Sequence, residues 1–325
     1  MLLAGDVGGT KTQLGLFERA TPRPRLIAAH TYPTDHFTSF SEILDAFVRD
    51  LRAPVVVEAV AVGVAGPVVG GTARLTNITW DVDVAHIAAR LGTSRAALLN
   101  DLESMAHAAG VLGQEEMVQL QQGTPRDDGN AAVIAAGTGL GEAHLHRVHG
   151  RLIPSPSEGG HADFAARTDR EMALVRMLRE LHGRAEVEHV VSGPGLLNLH
   201  RFTHDGSPCD AIRGVNATEA PARVSQSALE GRCRRCAEAL SLFVEAYGAE
   251  TGNLALRAVA TSGVFLGGGI APKILPALQD GRFIEAFRAK GTMSRFVATI
   301  PVHVILLPEA ALLGAAIMAQ GLTNP

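Results

Sequence analysis

The chain has 325 residues, of which 46% are apolar and 19% charged, which predicts a globular α/β protein of about two domains. Its net charge of −4 provides no basic field for a nucleic-acid backbone or an anionic membrane surface. Charged residues and prolines also interrupt the apolar runs before they reach the roughly 20 residues that span a bilayer, so we expect no nucleic-acid partner, no membrane segment and a small-molecule partner.

The first predicted elements form a hairpin that begins a sheet. Apolar residues 2–6 predict a strand, and the alternating residues 12–18 predict its returning partner. A third strand is predicted over 26–32, an amphipathic helix over 40–51 and a buried strand over 55–64. This order predicts a mixed sheet with helices on its faces.

The next elements lead into a second domain. A helix over 82–91, a strand end at 97–99 and a helix over 102–111 precede a polar, glycine-rich connection over 121–130 and a buried strand over 131–136. The remainder reads as mostly helical, with helices predicted over 170–182, 192–203, 221–260 and 273–280. The last strand, 302–306, and an apolar helix over 310–320 are predicted to fold back onto the first domain. We therefore expect a small α/β domain of residues 1–111 plus 302–325 and a large α/β domain of residues 112–301.

Two strands end in similar glycine turns, which indicates a coarse internal duplication. The first turn contains Gly8, Gly9 and Thr10, and the second contains Gly137, Thr138 and Gly139. Such turns let backbone N–H groups approach phosphate oxygens, although for each turn alone an ordinary tight turn is the favoured interpretation. Asp6 favours the phosphate interpretation of the first turn, because a carboxylate among phosphate donors is repulsive unless it holds a divalent cation such as Mg²⁺.

Other nucleotide-binding motifs do not fit. No Gly-x-x-x-x-Gly-Lys-Ser/Thr sequence occurs, and Gly137-Thr-Gly-Leu-Gly141 lacks the spacing of a dinucleotide turn. A third glycine cluster, Gly267-Gly-Gly-Ile270, follows an apolar run and precedes a helix. It permits either the close approach of a flat adenine or simply a tight turn.

Polar residues in apolar or turn-like contexts are candidates for binding a sugar and accepting its proton. Asp101 is the best candidate for a catalytic base, and the cap of the following helix is its equally supported alternative. For Glu158 and His161 we prefer sugar binding to zinc binding, because residues 162–200 contain no cysteine. For Glu188 alone, a charge on a helix surface is the favoured interpretation. The full set of candidates is Asn77, Asn100, Asp101, Glu158, His161 with Asp163, and Glu188.

The cysteines and the N-terminus favour a cytoplasmic protein. The sparse and odd set of Cys209, Cys233 and Cys236 suits a reducing compartment, and residues 1–6 lack the features of a signal peptide. Cys233 and Cys236 form a CxxC within a predicted helix, with no second ligand pair nearby in the sequence. Since zinc sites usually need four clustered ligands, we favour a coincidence of helical sequence over a metal or redox role.

Taken together, these residues resemble the bacterial glucokinase family of the actin/hexokinase superfamily over nearly the whole chain. Each motif alone is a modest signal, but their order along one chain is specific. The matching motifs are Gly5-Asp-Val-Gly-Gly-Thr10, Leu75-Thr-Asn-Ile-Thr-Trp80, Leu99-Asn-Asp-Leu-Glu103, Val133-Ile-Ala-Ala-Gly-Thr-Gly-Leu-Gly141, Ser157-Glu-Gly-Gly-His-Ala-Asp-Phe164, Glu188-His-Val-Val-Ser-Gly-Pro-Gly-Leu196 and Gly268-Gly-Ile-Ala-Pro-Lys273.

The resemblance implies a two-lobed actin/hexokinase (ribonuclease H-like) fold, with ATP and sugar in the cleft. It implies that Asp101 is the general base for phosphorylation of glucose at O6, that Asn77, Asn100, Glu158, His161 and Glu188 bind the sugar, and that Asp6 holds Mg²⁺. It also suggests a homodimer. The implied ATP-binding residues are Gly5, Asp6, Val7, Gly8, Gly9, Thr10, Gly137, Thr138, Gly139, Gly268 and Gly269.

Some alternatives remain open. The polar set also fits a kinase of another hexose or an N-acetylhexosamine, or a non-catalytic sugar sensor. A chaperone- or filament-type ATPase shares the phosphate turns but has no use for Glu158, His161 and Glu188. The chain lacks the cysteine-rich zinc motif that the related repressor/open-reading-frame/kinase (ROK) group carries after the equivalent of His161, which argues against a structural zinc.

Overall fold

An antiparallel hairpin begins the first sheet, as predicted. The computed structural model describes residues 1–51, 54–75 and 80–323. Strand β1 (Leu2–Val7) pairs with β2 (Lys11–Glu18), and β2 pairs with β3 (Arg25–Pro33). The apolar face of helix α1 (Phe40–Asp50) is buried in the core of this region, as its helical periodicity predicts.

Parallel strands extend the sheet from the other side of β1. The strand order is β3-β2-β1-β4-β8, and β1, β4 and β8 are mutually parallel where they pair. A small antiparallel sheet of three short strands, which the sequence did not predict, lies between β4 and α2 in the chain. The bounds are β4 Ala59–Val64, β5 Val68–Val69, β6 Thr72–Arg74, β7 Asp81–Asp83, α2 Val84–Leu91, β8 Ala96–Asn100 and α3 Asp101–Ala109.

The second sheet repeats this plan. Its strand order is β12-β11-β10-β13-β14-β9, and again an antiparallel leading hairpin is followed by parallel strands on its far side. The duplication that the glycine turns indicated is thus present in the topology. The strands are β9 Met117–Gln121, β10 Ala131–Ala136, β11 Leu140–Val148, β12 Arg151–Ser157, β13 Gly263–Gly267 and β14 Val302–Ile305.

Helices account for most of the remaining chain in this second region, and many of them bury apolar faces in its core. The long stretch predicted as one helix over 221–260 is two helices, because Gly231 adopts φ = 68° and breaks the pattern. The bounds are α4 Asp169–His182, α5 Gly193–His204, α6 Ala220–Leu229, α7 Arg234–Ala258, α8 Leu275–Leu278, α9 Arg282–Arg288, α10 Ser294–Val297 and α11 Ala310–Gly321.

The chain forms two compact units, one of Met1–Gly113 with Leu307–Pro325 and the other of Gln114–Leu306. Helix α11 belongs to the first unit and packs against α3 and β1, as expected. The prediction that the last strand joins the first domain is wrong, because β14 pairs with β13 and β9 in the second sheet. An apolar strand pattern shows that a strand is buried, but it does not show which sheet it joins.

Within the described residues, no helix combines the length and apolar character needed to cross a membrane.

Candidate active site

The carboxyl ends of three parallel strands bring the first group of predicted residues to one edge of the first sheet. Asp6 of β1 lies beside Gly63 of β4, and Asn100 ends β8 beside Val64. In open α/β sheets, ligands bind outside the carboxyl ends of the strands. Asp6, Asn100 and the adjoining Asp101 therefore lie where a ligand of this unit is expected.

Asn100, and not Asp101, caps the helix that follows. Asn100 Oδ1 accepts a hydrogen bond from the N–H of Glu103 at 2.6 Å, which makes Asn100 the N-cap of α3. Asp101 is the first helical residue, with its Oδ1 2.8 Å from the N–H of Leu102. The cap interpretation of Asp101 is therefore wrong, and this carboxylate is exposed.

Asp101 acts electrostatically on Asp6. Burial, followed by the negative charge of Asp101, raises the pKa of Asp6 to about 6, and Lys11 acts in the opposite direction. Partial desolvation also raises the pKa of Asp101, against the hydrogen bond from the N–H of Leu102. A half-buried carboxylate whose charge is disfavoured by burial and by a second carboxylate belongs to a donor set that a hard divalent cation relieves, so these residues fit Mg²⁺.

The first glycine turn is braced by Thr34. The N–H of Gly8 donates to the carbonyl of Lys11 at 2.9 Å and closes the turn. The Thr34 hydroxyl donates to the Gly8 carbonyl at 2.8 Å, and the Thr34 N–H donates to the Thr10 carbonyl at 3.0 Å. Thr34 itself is buried, whereas Thr10 is exposed. The turn is thus held from one side, with the Thr10 side chain open to solvent.

Gly5 and Val7, predicted to contact the nucleotide, are buried within β1. The Val7 carbonyl accepts a hydrogen bond from the N–H of Ala65 at 2.9 Å. These residues hold the strand that leads into the turn, and Gly9 lies within the turn itself.

The second glycine turn is braced by Glu188. The N–H of Gly137 donates to the Gly139 carbonyl at 2.8 Å, and Glu188 Oε2 accepts from the N–H of Leu140 at 2.7 Å. Because Glu188 is half-buried and bonded in this way, its interpretation as a free surface charge is wrong. The Gly137 carbonyl accepts from the N–H of Gly193 at 2.8 Å, which ties the turn to the start of α5.

A cavity of about 510 Å³ opens beside the second turn. Its volume lies within the usual range of roughly 300–1,000 Å³ for small-molecule pockets, and glycine backbone and apolar side chains form much of its wall. Residues that line it include Gly137, Thr138, Pro194, Pro221, Gly269 and Ile274. Gly268 lies next to this wall at φ = 82°, where a Cβ atom would come within 2.3 Å of the Ala136 carbonyl oxygen. The geometry suits a flat heteroaromatic ring.

The predicted sugar residues of the second unit come together around one short 3₁₀ turn. The turn spans Gly159–His161, so Glu158 directly precedes it and His161 is its last residue. The N–H of Glu188 donates to the Gly160 carbonyl at 2.9 Å, which ties Glu188 to the turn. Asn77 lies outside the described residues.

Glu186 completes this group, although the sequence analysis missed it. His161 Nδ1 lies 2.8 Å from Glu186 Oε2. That hydrogen bond raises the pKa of His161, and the charges of Glu188 and Glu158 act in the same direction, against a smaller effect of burial. Asp163 instead pairs with Arg184 at 2.7 Å.

Two matching sheets, each with a glycine turn at its leading hairpin, place the chain in the actin/hexokinase-like class. Solved structures agree with this assignment. A glucokinase from an Antarctic psychrotroph is 30% identical, has a TM-score of 0.88, and the match covers 98% of both chains. A Balamuthia mandrillaris glucokinase, solved with glucose, has a TM-score of 0.79 at 20% identity over 98% of this chain and 93% of its own, which shows likeness of fold alone.

Sequence comparison identifies the family. The family model described as Glucokinase matches residues 3–322. The glucokinase of Nostoc punctiforme is 37% identical over 340 residues, covering 99% of each chain. That of Mesorhizobium japonicum is 38% identical over 321 residues, covering 98% of this chain and 91% of its own. The chain therefore belongs to the glucokinase family, and the predictions of its fold and enzyme class are confirmed.

Proposed function

We propose that this chain transfers the γ-phosphoryl group of ATP to the O6 hydroxyl of glucose, with Asp101 as the general base. The observation that carries this role is the position of Asp101: the residue is exposed at the carboxyl edge of the first sheet, while Asn100 caps the helix in its place. The raised pKa of Asp101 strengthens its affinity for a proton. The glucokinase names of the relatives support glucose as the acceptor.

The nucleotide roles follow from the turns and the cavity. Apart from the N–H groups of Gly8 and Gly137, which close the turns, the N–H groups of the turns at Gly8–Thr10 and Gly137–Gly139 donate to phosphate oxygens. The cavity beside Gly269 accepts the adenine. A Streptomyces griseus glucokinase of similar fold, at TM-score 0.63 and 20% identity, was solved with glucose and AMPPNP. Asp6 holds Mg²⁺, which supplies neutralisation of the phosphate charge when bound.

The sugar roles belong to side chains that hydrogen-bond hydroxyl groups. Glu158, His161 and Glu188 form one such group in the second unit, and the amide of Asn100 retains its N–H donors because only its oxygen caps the helix. We keep Asn77 in this set on the resemblance alone. With the sugar held by these residues, Asp101 takes up the proton of the attacking hydroxyl.

The test of the base is Asp101→Asn with Glu103→Gln as its matched control. Both changes remove a carboxylate from the first turn of α3. Asp101→Asn is expected to lower kcat by roughly 10²–10⁴-fold, with the KM for glucose within a few-fold of wild type in a coupled ADP-release assay. Glu103→Gln is expected to retain kcat. A nearly normal kcat for Asp101→Asn would overturn the assignment.

The acceptor is tested in the same assay with a panel of sugars. We expect the highest kcat/KM for glucose, with glucose 6-phosphate as product, against mannose, fructose and N-acetylmannosamine. A higher value for another sugar would replace glucose as the substrate. The absence of sugar-dependent ADP release would instead favour a sensor.

We further propose a cytoplasmic homodimer, on the family resemblance. Light scattering during gel filtration is expected to give about twice the chain mass of 34.1 kDa. A single-chain mass at micromolar concentration would overturn the dimer.

A further inference from the structure

A cluster of two histidines and three cysteines in the second unit uses none of the residues assigned to the reaction. His200 and His204 occupy one face of α5, because residues four apart are neighbours on a helix. Cys209 precedes the short 3₁₀ turn Asp210–Ile212, Cys233 is the N-cap residue of α7, and Cys236 lies in its first turn. Two segments that are distant in the sequence, residues 200–209 and 233–236, thus converge.

The ligand atoms of the cluster lie close together, and two of their separations match the edges of a zinc tetrahedron. One ligand atom from each of His200, His204, Cys209 and Cys236 lies within 4.8 Å of all the others. Cys209 Sγ is 3.7 Å from Cys236 Sγ, and Cys236 Sγ is 3.9 Å from His204 Nε2. Zinc bonds of about 2.3 Å to sulfur and 2.0–2.1 Å to nitrogen give tetrahedral edges of about 3.8 Å (S–S) and 3.6 Å (S–N). The Cys209–Cys236 and Cys236–His204 separations therefore match those of a site for one ion.

His204 is oriented as a metal ligand. Its Nδ1 lies 2.9 Å from the carbonyl oxygen of His200, so Nδ1 carries the proton and donates it to that carbonyl. The lone pair is then on Nε2, which lies 3.9 Å from Cys236 Sγ. Zinc-binding histidines usually donate their second ring N–H in this way, which fixes the tautomer and the ring.

His200 provides the second, independent observation. Its side chain is only 7% exposed, and its Nε2 is buried without a hydrogen-bond partner within the described part of the chain. An unpaired buried polar atom is costly, and a bond to a metal ion would satisfy it. The ring stacks on that of His204 with centroids 3.7 Å apart.

We propose that His200, His204, Cys209 and Cys236 bind one Zn²⁺ ion as a structural site. Two thiolates and two neutral imidazoles in a closed tetrahedron are the ligand set that structural zinc prefers. Cys233, whose Sγ lies 3.5 Å from His204 Nε2, is adjacent to the site and remains outside the ligand set. The proposal gives Cys236 the metal role that the sequence analysis did not favour, because its partner ligands come from residues 200–209 and not from the CxxC itself.

The site would stabilise the wall of the adjacent cavity. Helix α6, which contributes Pro221 and Ala222 to that wall, lies in the chain between Cys209 and Cys236. Helix α5 carries His200 and His204 and contributes Pro194 to the cavity at its other end. A metal ion that joins α5 to Cys209 and Cys236 holds both ends of the segment that contains α6 and restricts the motion of that segment. The free energy of metal binding then adds to the stability of the folded state.

The first experiment measures metal content in the full-length protein, purified under reducing conditions without chelators. Elemental analysis is expected to find about one zinc per chain. Cys209→Ser, Cys236→Ser and His204→Gln are expected to lose it. Two control variants are expected to keep the zinc. Cys233→Ser changes the neighbouring cysteine, and His146→Gln changes an exposed histidine that stacks on another histidine.

The second experiment needs only the wild-type protein, so it holds even if variants fail to fold. Co²⁺ added to metal-free protein is expected to give the visible absorption of a tetrahedral ion and a sulfur-to-cobalt charge-transfer band. Removal of the zinc is expected to lower the thermal midpoint by several degrees.

Three results would overturn the proposal. These are the absence of bound zinc and of the cobalt spectrum in the reduced protein, a disulfide between Cys209 and Cys236 found by mass spectrometry in reduced preparations, or loss of zinc in Cys233→Ser alone. None of these measurements depends on glucokinase activity, so failure of the zinc site is distinguishable from failure of the proposed function.

Discussion

The two glycine turns occupy the same place in two similar sheets, yet their surroundings differ. Asp6 of β1 pairs with Gln13 one step before the end of its hairpin ladder, and Ala135 of β10 pairs with Gly141 at the corresponding step. The first turn therefore has a carboxylate from its own strand, and Asp101 lies near it. The second turn has an alanine there and receives Glu188 from a separate loop. One backbone plan thus supports charge in the first unit and an apolar cavity in the second.

The largest expected effect is on stability, and it comes from the close approach of Gly268 to the strand that leads into the second turn. In Gly268→Ala, the new Cβ would lie 2.3 Å from the Ala136 carbonyl oxygen at a φ of 82°. Overpacking against backbone and left-handed strain together predict a loss of about 2–5 kcal/mol in the free energy of unfolding, measured with urea.

Gly269→Ala is the matched control for that change. No atom lies within 4 Å of its added Cβ, and its backbone is outside the left-handed region. We expect its unfolding free energy to stay within about 0.5 kcal/mol of wild type. Equal losses in the two variants would show that the close approach at Gly268 is unimportant.

The elements that lead to these turns were predictable because their signals are local. Alternating apolar residues mark β1 and β2, and glycine marks each turn. Strand β12 was missed because Pro154 and Pro156 interrupt its pattern, which is tolerated at the edge of the sheet where it lies. The sheet to which β14 belongs depends on distant pairing, which no local pattern encodes.

In the candidate site, too, some residues have local sequence signals and others depend on distant contacts. The turn residues and Asp101 have recognisable contexts, whereas Thr34 and Glu186 are ordinary polar residues in the sequence. Thr34 acts on Gly8, 26 residues away, and Glu186 acts on His161, 25 residues away. Their roles arise from contacts through space, so a single sequence holds no signal that could have found them.

The second prediction removes the carboxylate that distinguishes the first turn. The pKa of Asp6 is raised to about 6 in the folded state, so folding favours the protonated carboxyl group. The contribution of this group to the free energy of unfolding is therefore full below about pH 4 and is lost as the pH rises above 6. Asp6→Asn is therefore expected to be more stable than wild type at pH 7.5. The difference in unfolding free energy between variant and wild type is expected to be up to about 3 kcal/mol larger at pH 7.5 than at pH 4. Urea unfolding at several pH values measures this.

The same variant is expected to lose activity while it gains stability. If Asp6 holds Mg²⁺ through water, activity falls by roughly 10–100-fold and the Mg²⁺ requirement rises. Asp35→Asn, an exposed carboxylate of the same unit, is the control and should change neither property. An unaltered Mg²⁺ requirement in Asp6→Asn would contradict the metal role.

The third prediction concerns the carboxylate that the second turn receives. In Gly139→Ala the Cβ would lie 2.6 Å from Glu188 Oε2, whose side chain can shift but then loses its bond from Leu140. We expect a loss of about 1 kcal/mol in unfolding free energy and a KM for glucose several-fold higher. For Gly137→Ala, with no atom within 4 Å of the added Cβ, we expect unchanged stability. A glucose KM unaffected by Gly139→Ala would separate Glu188 from sugar binding.

The smallest expected effect concerns the histidine that Glu188 and Glu186 surround. The hydrogen bond that His161 donates to Glu186 is the largest cause of the raised pKa of His161. Glu186→Gln therefore lowers that pKa and leaves less of the imidazole protonated near neutral pH. We expect the pH midpoint of the glucose KM to move downward by up to about one unit, with kcat little changed. Asp163→Asn, which removes a partner of Arg184 and not of His161, should leave the midpoint unmoved. An NMR titration of the His161 ring in both variants measures the shift directly, and an unchanged midpoint in Glu186→Gln would mean that this histidine does not control sugar binding through its charge.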